Sequence, residues 1–219
     1  MNFNWESLKN NNHPNILLLR HAERDYSSDP RDDFKCLLTE QGKKDAYSFG
    51  ERLLKLNKKI DVIKTSPIKR CVQTAKAIIN GAQSDCSIIY SKKLGDPGVF
   101  VSDEKIAFKT FLDIGILNLV QKLVNGENLP GLIEINEAVK HFLNEVISDL
   151  KEFSGIVLYI SHDAIIGSIA SYLSSIPLDS DNWITYLDGP SFYNHEENKI
   201  FMEWNRKNYE ISHKVNLFL

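Results

Sequence analysis

Two short apolar runs, each ending in a polar dyad, constrain this chain more than anything else in it. The first is Ile16-Leu17-Leu18-Leu19, followed by Arg20-His21. The second is Ile156-Val157-Leu158-Tyr159-Ile160, followed by Ser161-His162. Neither alternates polar with apolar, so neither suits a strand with one face in water. Both suit parallel strands covered by helices on both faces. A third run, Ile60 to Thr65, ends in Ser66-Pro67 and is soon followed by Arg70.

The segments between these runs read mostly as helices. Thr39 is an expected N-cap for a helix to about Asn57. Ser66 and Pro67 are expected to open a helix over about 67–80, stopped by Asn80-Gly81. Helices are expected over 103–124, 134–152 and about 164–175, and a strand near 86–90. Gly95-Asp96-Pro97-Gly98 reads as a turn, and Glu23 to Lys35 as a charged loop. The stretch 184–219 reads as short strands, with turns at Glu197-Asn198 and Asn205 to Asn208. Strands alternating with helices imply an α/β fold of three layers, a doubly wound and mainly parallel sheet with right-handed crossovers. At 219 residues the chain is expected to be one domain, 1–219, with a lid insertion over about 92–133.

In an open α/β sheet, ligands bind beyond the carboxyl ends of the strands. His21 and His162 are therefore both delivered to the functional edge. A neutral imidazole can attack phosphorus and form a phosphohistidine. Arginine holds a phosphoryl group through its planar, permanently charged fork. Arg20 adjoins His21, Arg24 lies on the same loop, and Arg70 falls in the first turn of its helix. Together they describe a phosphate site with a nucleophile already in it.

These residues also carry a family likeness. Arg20-His21-Ala22-Glu23-Arg24 resembles the Arg-His-Gly signature of the histidine phosphatase superfamily, which includes phosphoglycerate mutases and acid phosphatases. Leu38-Thr39-Glu40-Gln41-Gly42 resembles its Leu-Thr-x-x-Gly element. Ser66-Pro67-Ile68-Lys69-Arg70-Cys71-Val72-Gln73-Thr74-Ala75 is similar to its Ser-Pro-x-x-Arg-x-x-Gln-Thr-Ala block, and Ser161-His162-Asp163 to its second-histidine motif. The resemblance implies a phosphoglycerate mutase-like fold. It implies His21 as nucleophile, with Arg20, Arg70 and His162 around the phosphoryl group, and Arg24 as the extra arginine of the acid-phosphatase branch. Ala22 stands where the family has glycine, a change tolerated if its φ is negative. The mutase pattern after the first histidine and the mutase substrate loop are absent.

A leaving alkoxide needs a proton, and a carboxylic acid can supply it. Asp163 matches the donor of the acid-phosphatase branch and is preferred. Asp96 lies where the other branch places a glutamate, and remains the alternative. The expected activity is phosphomonoester hydrolysis on a phosphorylated small molecule or a phosphoprotein. A mutase-like phosphotransferase, a protein phosphohistidine phosphatase and a non-catalytic phosphate-binding scaffold stay open as alternatives.

Composition excludes other classes. The net charge of −3 suggests no general affinity for nucleic acid or anionic membrane. Cys36, Cys71 and Cys86 lack CxxC spacing and read as free thiols of a reducing, cytoplasmic compartment. Residues 1–15 lack a signal-peptide pattern, and no apolar stretch approaches the roughly 20 residues that span a bilayer. No metal-ligand spacing, Walker loop or GxGxxG occurs, so no metal and no cofactor are expected. His13, His141, His195 and His213 read as solvated, and Phe108, Phe111, Leu112, Ile116, Leu119 and Leu123 as core or lid packing. The oligomeric state stays open.

Overall fold

The computed structural model describes residues 3–10, 13–194, 199–212 and 214. Its strands are β1 (Asn15–Arg20), β2 (Ile60–Thr65), β3 (Ser87–Tyr90), β4 (Ile156–Ser161), β5 (Ser191–Asn194), β6 (Ile200–Trp204) and β7 (Lys207–Glu210). They form one sheet in the order β3-β2-β4-β1-β5-β6-β7. The pairs β3–β2, β2–β4 and β4–β1 are parallel. The pairs β1–β5, β5–β6 and β6–β7 are antiparallel. The sheet is thus mixed rather than mainly parallel. Only Asn205 and Arg206 separate β6 from β7, a connection that only antiparallel pairing allows. Asn205 and Arg206, both at positive φ, make the expected turn between β6 and β7. The expected turn at Glu197-Asn198, with His195 and His213, lies outside the described residues.

Helices cover both faces, as the uninterrupted runs require. They are α1 (Trp5–Asn10), α2 (Glu40–Leu54), α3 (Lys69–Ala82), α4 (Glu104–Ile114), α5 (Ile116–Val124), α6 (Ile135–Glu152) and α7 (Asp163–Ser174). Strand alternation sends Ile16, Leu18, Val157 and Tyr159 into the core under α5, α6 and α7. It sends Leu17, Leu19, Leu158 and Ile160 into a second core under α1, α2 and α3. The polar residues that interrupt β2 have partners. Asp61 accepts from the backbone N–H groups of Ser154 (3.2 Å) and Gly155 (2.7 Å). Lys64 pairs with Asp149 (2.7 Å) and Glu145 (3.1 Å), and the buried Tyr159 hydroxyl donates to Asp149 at 2.6 Å.

Several boundaries differ from the sequence reading. The helix after β2 starts at Lys69, not at Pro67, and Ser66 is not its cap. It runs through Gly81 and ends with Gln83 in the left-handed region. Gly81 is a contact residue and not a stop. A Cβ there would lie 1.9 Å from the Tyr47 carbonyl oxygen, so its absence lets α2 and α3 touch backbone to backbone. The expected helix 103–124 is two helices, broken at Gly115 with φ 76°. The charged loop holds a 3-10 turn, Pro30–Lys35, capped by Asp29. Thr39 caps α2 as expected, accepting from the Gly42 N–H at 2.9 Å.

Candidate active site

The central strands β2, β4 and β1 end level with one another. Arg20 pairs with Ser161 in register, and Thr65 with Ile160. The next residues of each segment must then meet above the sheet edge. The His21 N–H donates to the Ser161 carbonyl at 3.0 Å, and the Ser66 N–H to the Ile160 carbonyl at 3.0 Å. The two imidazoles stand edge to face with centroids 5.4 Å apart.

Arg70 joins them. Its Nε donates to His21 Nε2 at 3.0 Å, and its Nη2 lies 3.2 Å from His162 Nδ1. These contacts assign both tautomers, since a guanidinium only donates. His21 Nδ1 carries its proton toward the Ala22 carbonyl, 2.8 Å away, which leaves the Nε2 lone pair to face Arg70. His162 carries its proton on Nε2, toward the Ser66 hydroxyl at 3.0 Å. Burial, reinforced by the His162 ring and the Arg70 and Arg20 charges, holds His21 well below the ordinary histidine pKa. Burial and then Arg70 push His162 down to about 3. Both rings are therefore neutral at neutral pH, the state in which a histidine is a nucleophile.

The other arginines ring the same spot. Arg20 pairs with Asp163 Oδ2 (2.7 Å), donates to the Ile184 carbonyl (2.7 Å) and stacks 4.3 Å over the Tyr186 ring. Arg24 pairs with Asp33 Oδ1. Asp33 also faces Arg70, through Oδ2 at 3.3 Å and a carbonyl that accepts at 2.8 Å. The Nε–H groups of Arg20 and Arg24 are buried without a hydrogen-bond partner among the described residues. Thr74 braces the loop, accepting from the Ala22 N–H at 3.0 Å and donating to the Arg70 carbonyl at 2.8 Å. Ala22 is buried, and its φ is not positive, as its tolerance requires.

The two candidate acids sit differently. Asp163 opens α7, where Oδ1 accepts from the Ala164 N–H at 2.9 Å. Its Oδ2 accepts from Arg20 and, at 3.1 Å, from Trp183 Nε1. Asp96 is exposed, at φ 64°, without a hydrogen-bond or ion-pair partner among the described residues. The preceding Gly95 lies against the site: a Cβ there would stand 2.6 Å from both His162 Nε2 and Ser66 Oγ. Asp96 borders a cavity of about 550 Å³ lined by Phe100, Phe108, Phe111, Leu119 and Ile165. The apolar series of α4 and α5 thus packs partly into the core and partly around this cavity, while Leu112 is exposed.

Sequence reasoning missed Asp33, Tyr186 and Trp183, and gave Ser66 a capping role. Asp33 was one charge among many in its loop, and the aromatic residues carried no spacing signal. Ser66 was recognisable only through its family block. His141 is exposed on α6, 3.7 Å from Glu137. No group of three His, Cys, Asp or Glu among the described residues is placed to hold a metal ion. No helix among them is long and apolar enough to cross a membrane.

Comparison with known proteins places this geometry. Residues 16–99 match the model of the histidine phosphatase superfamily (branch 1). The mouse ubiquitin-associated and SH3 domain-containing protein B is 28% identical over 177 residues, covering 74% of this chain. The chain spans about a quarter of that protein's length (26%). The phosphoglycerate mutase of Bacillus anthracis superposes with a TM-score of 0.58 at 14% identity, covering 95% of this chain and 97% of its own. A mycobacterial glucosyl-3-phosphoglycerate phosphatase gives 0.54 at 16% identity, covering 83% and 90%. At such identities these two likenesses are of fold. The matched segment carries Arg20, His21, Arg24 and Arg70, so over that part the chain is similar to the histidine phosphatase superfamily.

Proposed function

We propose that this chain is a phosphomonoesterase that works through a covalent phosphohistidine on His21. The observation that carries the reading is the state of His21: buried, neutral, with its Nε2 lone pair held beside Arg70. A phosphoryl group entering the site takes over the donors that Arg70 and Arg24 give to His21 and Asp33, and gains the buried Nε–H groups of Arg20 and Arg24. His162 supports the same group through Arg70, and Ser66 supports His162.

Nε2 then attacks phosphorus, forming the N–P bond as the bond to the ester oxygen breaks. The leaving alkoxide takes a proton from an acid. We assign that acid to Asp96. Its carboxyl has no hydrogen-bond or ion-pair partner among the described residues, and it follows Gly95, which lies against His162 and Ser66. Both oxygens of Asp163 are committed as acceptors, which suits it to hold Arg20 instead. In the second half, the Asp96 carboxylate takes a proton from water as the water oxygen attacks phosphorus. The N–P bond breaks, and phosphate and neutral His21 are released.

The test is to quench the enzyme briefly after mixing with radiolabelled phenyl phosphate and to map the label. Acid-labile phosphate on His21, absent from His21→Ala together with turnover, is the expected result. Activity in His21→Ala within about tenfold of wild type, roughly 1.4 kcal/mol of barrier, sinks the mechanism. Transfer of the label to a second hydroxyl in preference to water would make the chain a phosphotransferase.

A further inference from the structure

We infer that the cavity beyond Asp96 is the leaving-group site, and that the substrate is a phosphomonoester of an apolar alcohol. This rests on the phosphomonoesterase reading and adds a substrate class to it. In-line displacement requires the ester oxygen to depart on the side of phosphorus opposite His21 Nε2. The rest of the alcohol must then continue past the acid that protonates it. The turn Gly95-Asp96-Pro97 borders both places. Gly95 on one side packs against His162 and Ser66, while Asp96 and Pro97 line the cavity.

The cavity has the volume of a small-molecule site, about 550 Å³. Its walls are carbon: Phe100 from the loop after Gly98, Phe108 and Phe111 from α4, Leu119 from α5, and Ile165 from α7. Apart from Asp96 itself, the side chains that could hydrogen-bond there are Glu104, Lys105 and Ser168. A sugar or glycerate leaving group would bury hydroxyl or carboxylate groups against these rings with few partners, which is costly. An alkyl or aryl group would gain from the same walls. Two features extend the apolar path to the phosphate clamp. Phe34, which lines the cavity, directly follows Asp33, which faces Arg24 and Arg70. Phe108 and Ile116 also line the cavity yet remain 38% and 37% exposed, an apolar rim open to an incoming chain.

The experiment uses the full chain and linear ethyl, butyl, hexyl and octyl phosphates, with glycerol phosphate as a polar analogue. The leaving-group acidity is nearly constant along the alkyl series, so chain length reports burial. The expected result is a rise in kcat/KM of about three- to fourfold per methylene until the cavity is filled. Glycerol phosphate should fall below butyl phosphate. Phe108→Asp, at a partly exposed position, should lower kcat/KM for octyl phosphate at least tenfold more than for ethyl phosphate. The matching alkylphosphonates, which cannot be hydrolysed, give the same series as dissociation constants by calorimetry. A flat or falling series in turnover and in binding overturns this inference. A graded phosphonate series without turnover of any ester would instead sink the phosphomonoesterase reading and leave the cavity only as a binding site for the apolar group.

Discussion

Asp96 and Asp163 are one carboxylate chemistry placed in two settings. The chain puts Asp163 directly after His162, so on sequence alone it is the natural partner of that histidine. Adjacency does not fix direction, however. At the start of α7 the Asp163 side chain turns to its own helix and to Arg20. Asp96 looked like turn chemistry, and its left-handed φ agrees with that, but the turn is pressed against the site through Gly95. Their roles separate by leaving group. Asp96→Asn should slow hydrolysis of alkyl phosphates about 10²–10⁴-fold and of nitrophenyl phosphate much less, because nitrophenolate departs without a proton. Asp163→Asn should lower kcat/KM for both to a similar degree, by loosening Arg20. The reverse pattern of leaving-group dependence moves the acid to Asp163.

At the scale of elements, the site depends on how closely α2 and α3 pack. α3 carries Arg70 and Thr74, and α2 is tied to the loop after His21 through Thr39, whose hydroxyl donates to Glu23 at 2.6 Å. The two helices meet on glycines. A Cβ on Gly50 would stand 2.2 Å from the Ile78 carbonyl oxygen, and one on Gly81 1.9 Å from that of Tyr47. Backbone cannot yield as a flexible side chain can. Gly81→Ala should therefore destabilise the fold by about 1–3 kcal/mol or more despite the better helix propensity of alanine. It should also weaken phosphate binding by shifting Arg70. An unchanged midpoint of urea unfolding would show that the helices can part freely. The sequence offered Asn80-Gly81 as a stop, because a glycine near a helix end is ambiguous between cap and contact.

For the whole molecule, the two histidines of the site make stability depend on pH. Both have folded pKa values below the unfolded value near 6.5, His162 at about 3. The unfolded chain takes up these protons first, so their contribution is intact above about pH 6.5. It is lost as pH falls from there toward the folded values. Each such histidine steepens the loss by up to about 1.4 kcal/mol per pH unit. Urea midpoints measured from pH 7.5 down to pH 4.5 should fall more steeply for wild type than for His162→Asn, which cannot take up that proton. Parallel profiles would mean that His162 titrates alike in both states.

The sequence by itself determined the three central strands, their burial on both faces, and the identities of the five residues, Arg20, His21, Arg24, Arg70 and His162, that converge beyond them. Local rules suffice for these: an apolar run without alternation must be covered twice, and the residues just past such a strand lie at the sheet edge. Only the tertiary structure decided the strand order and the antiparallel half of the sheet, since pairing is settled by packing between distant segments. It alone brought Asp33, Ser66 and Tyr186 to the imidazoles and arginines. It also turned an apolar helix series into a cavity wall, because whether a Phe fills a core or lines a space depends on what stands opposite it.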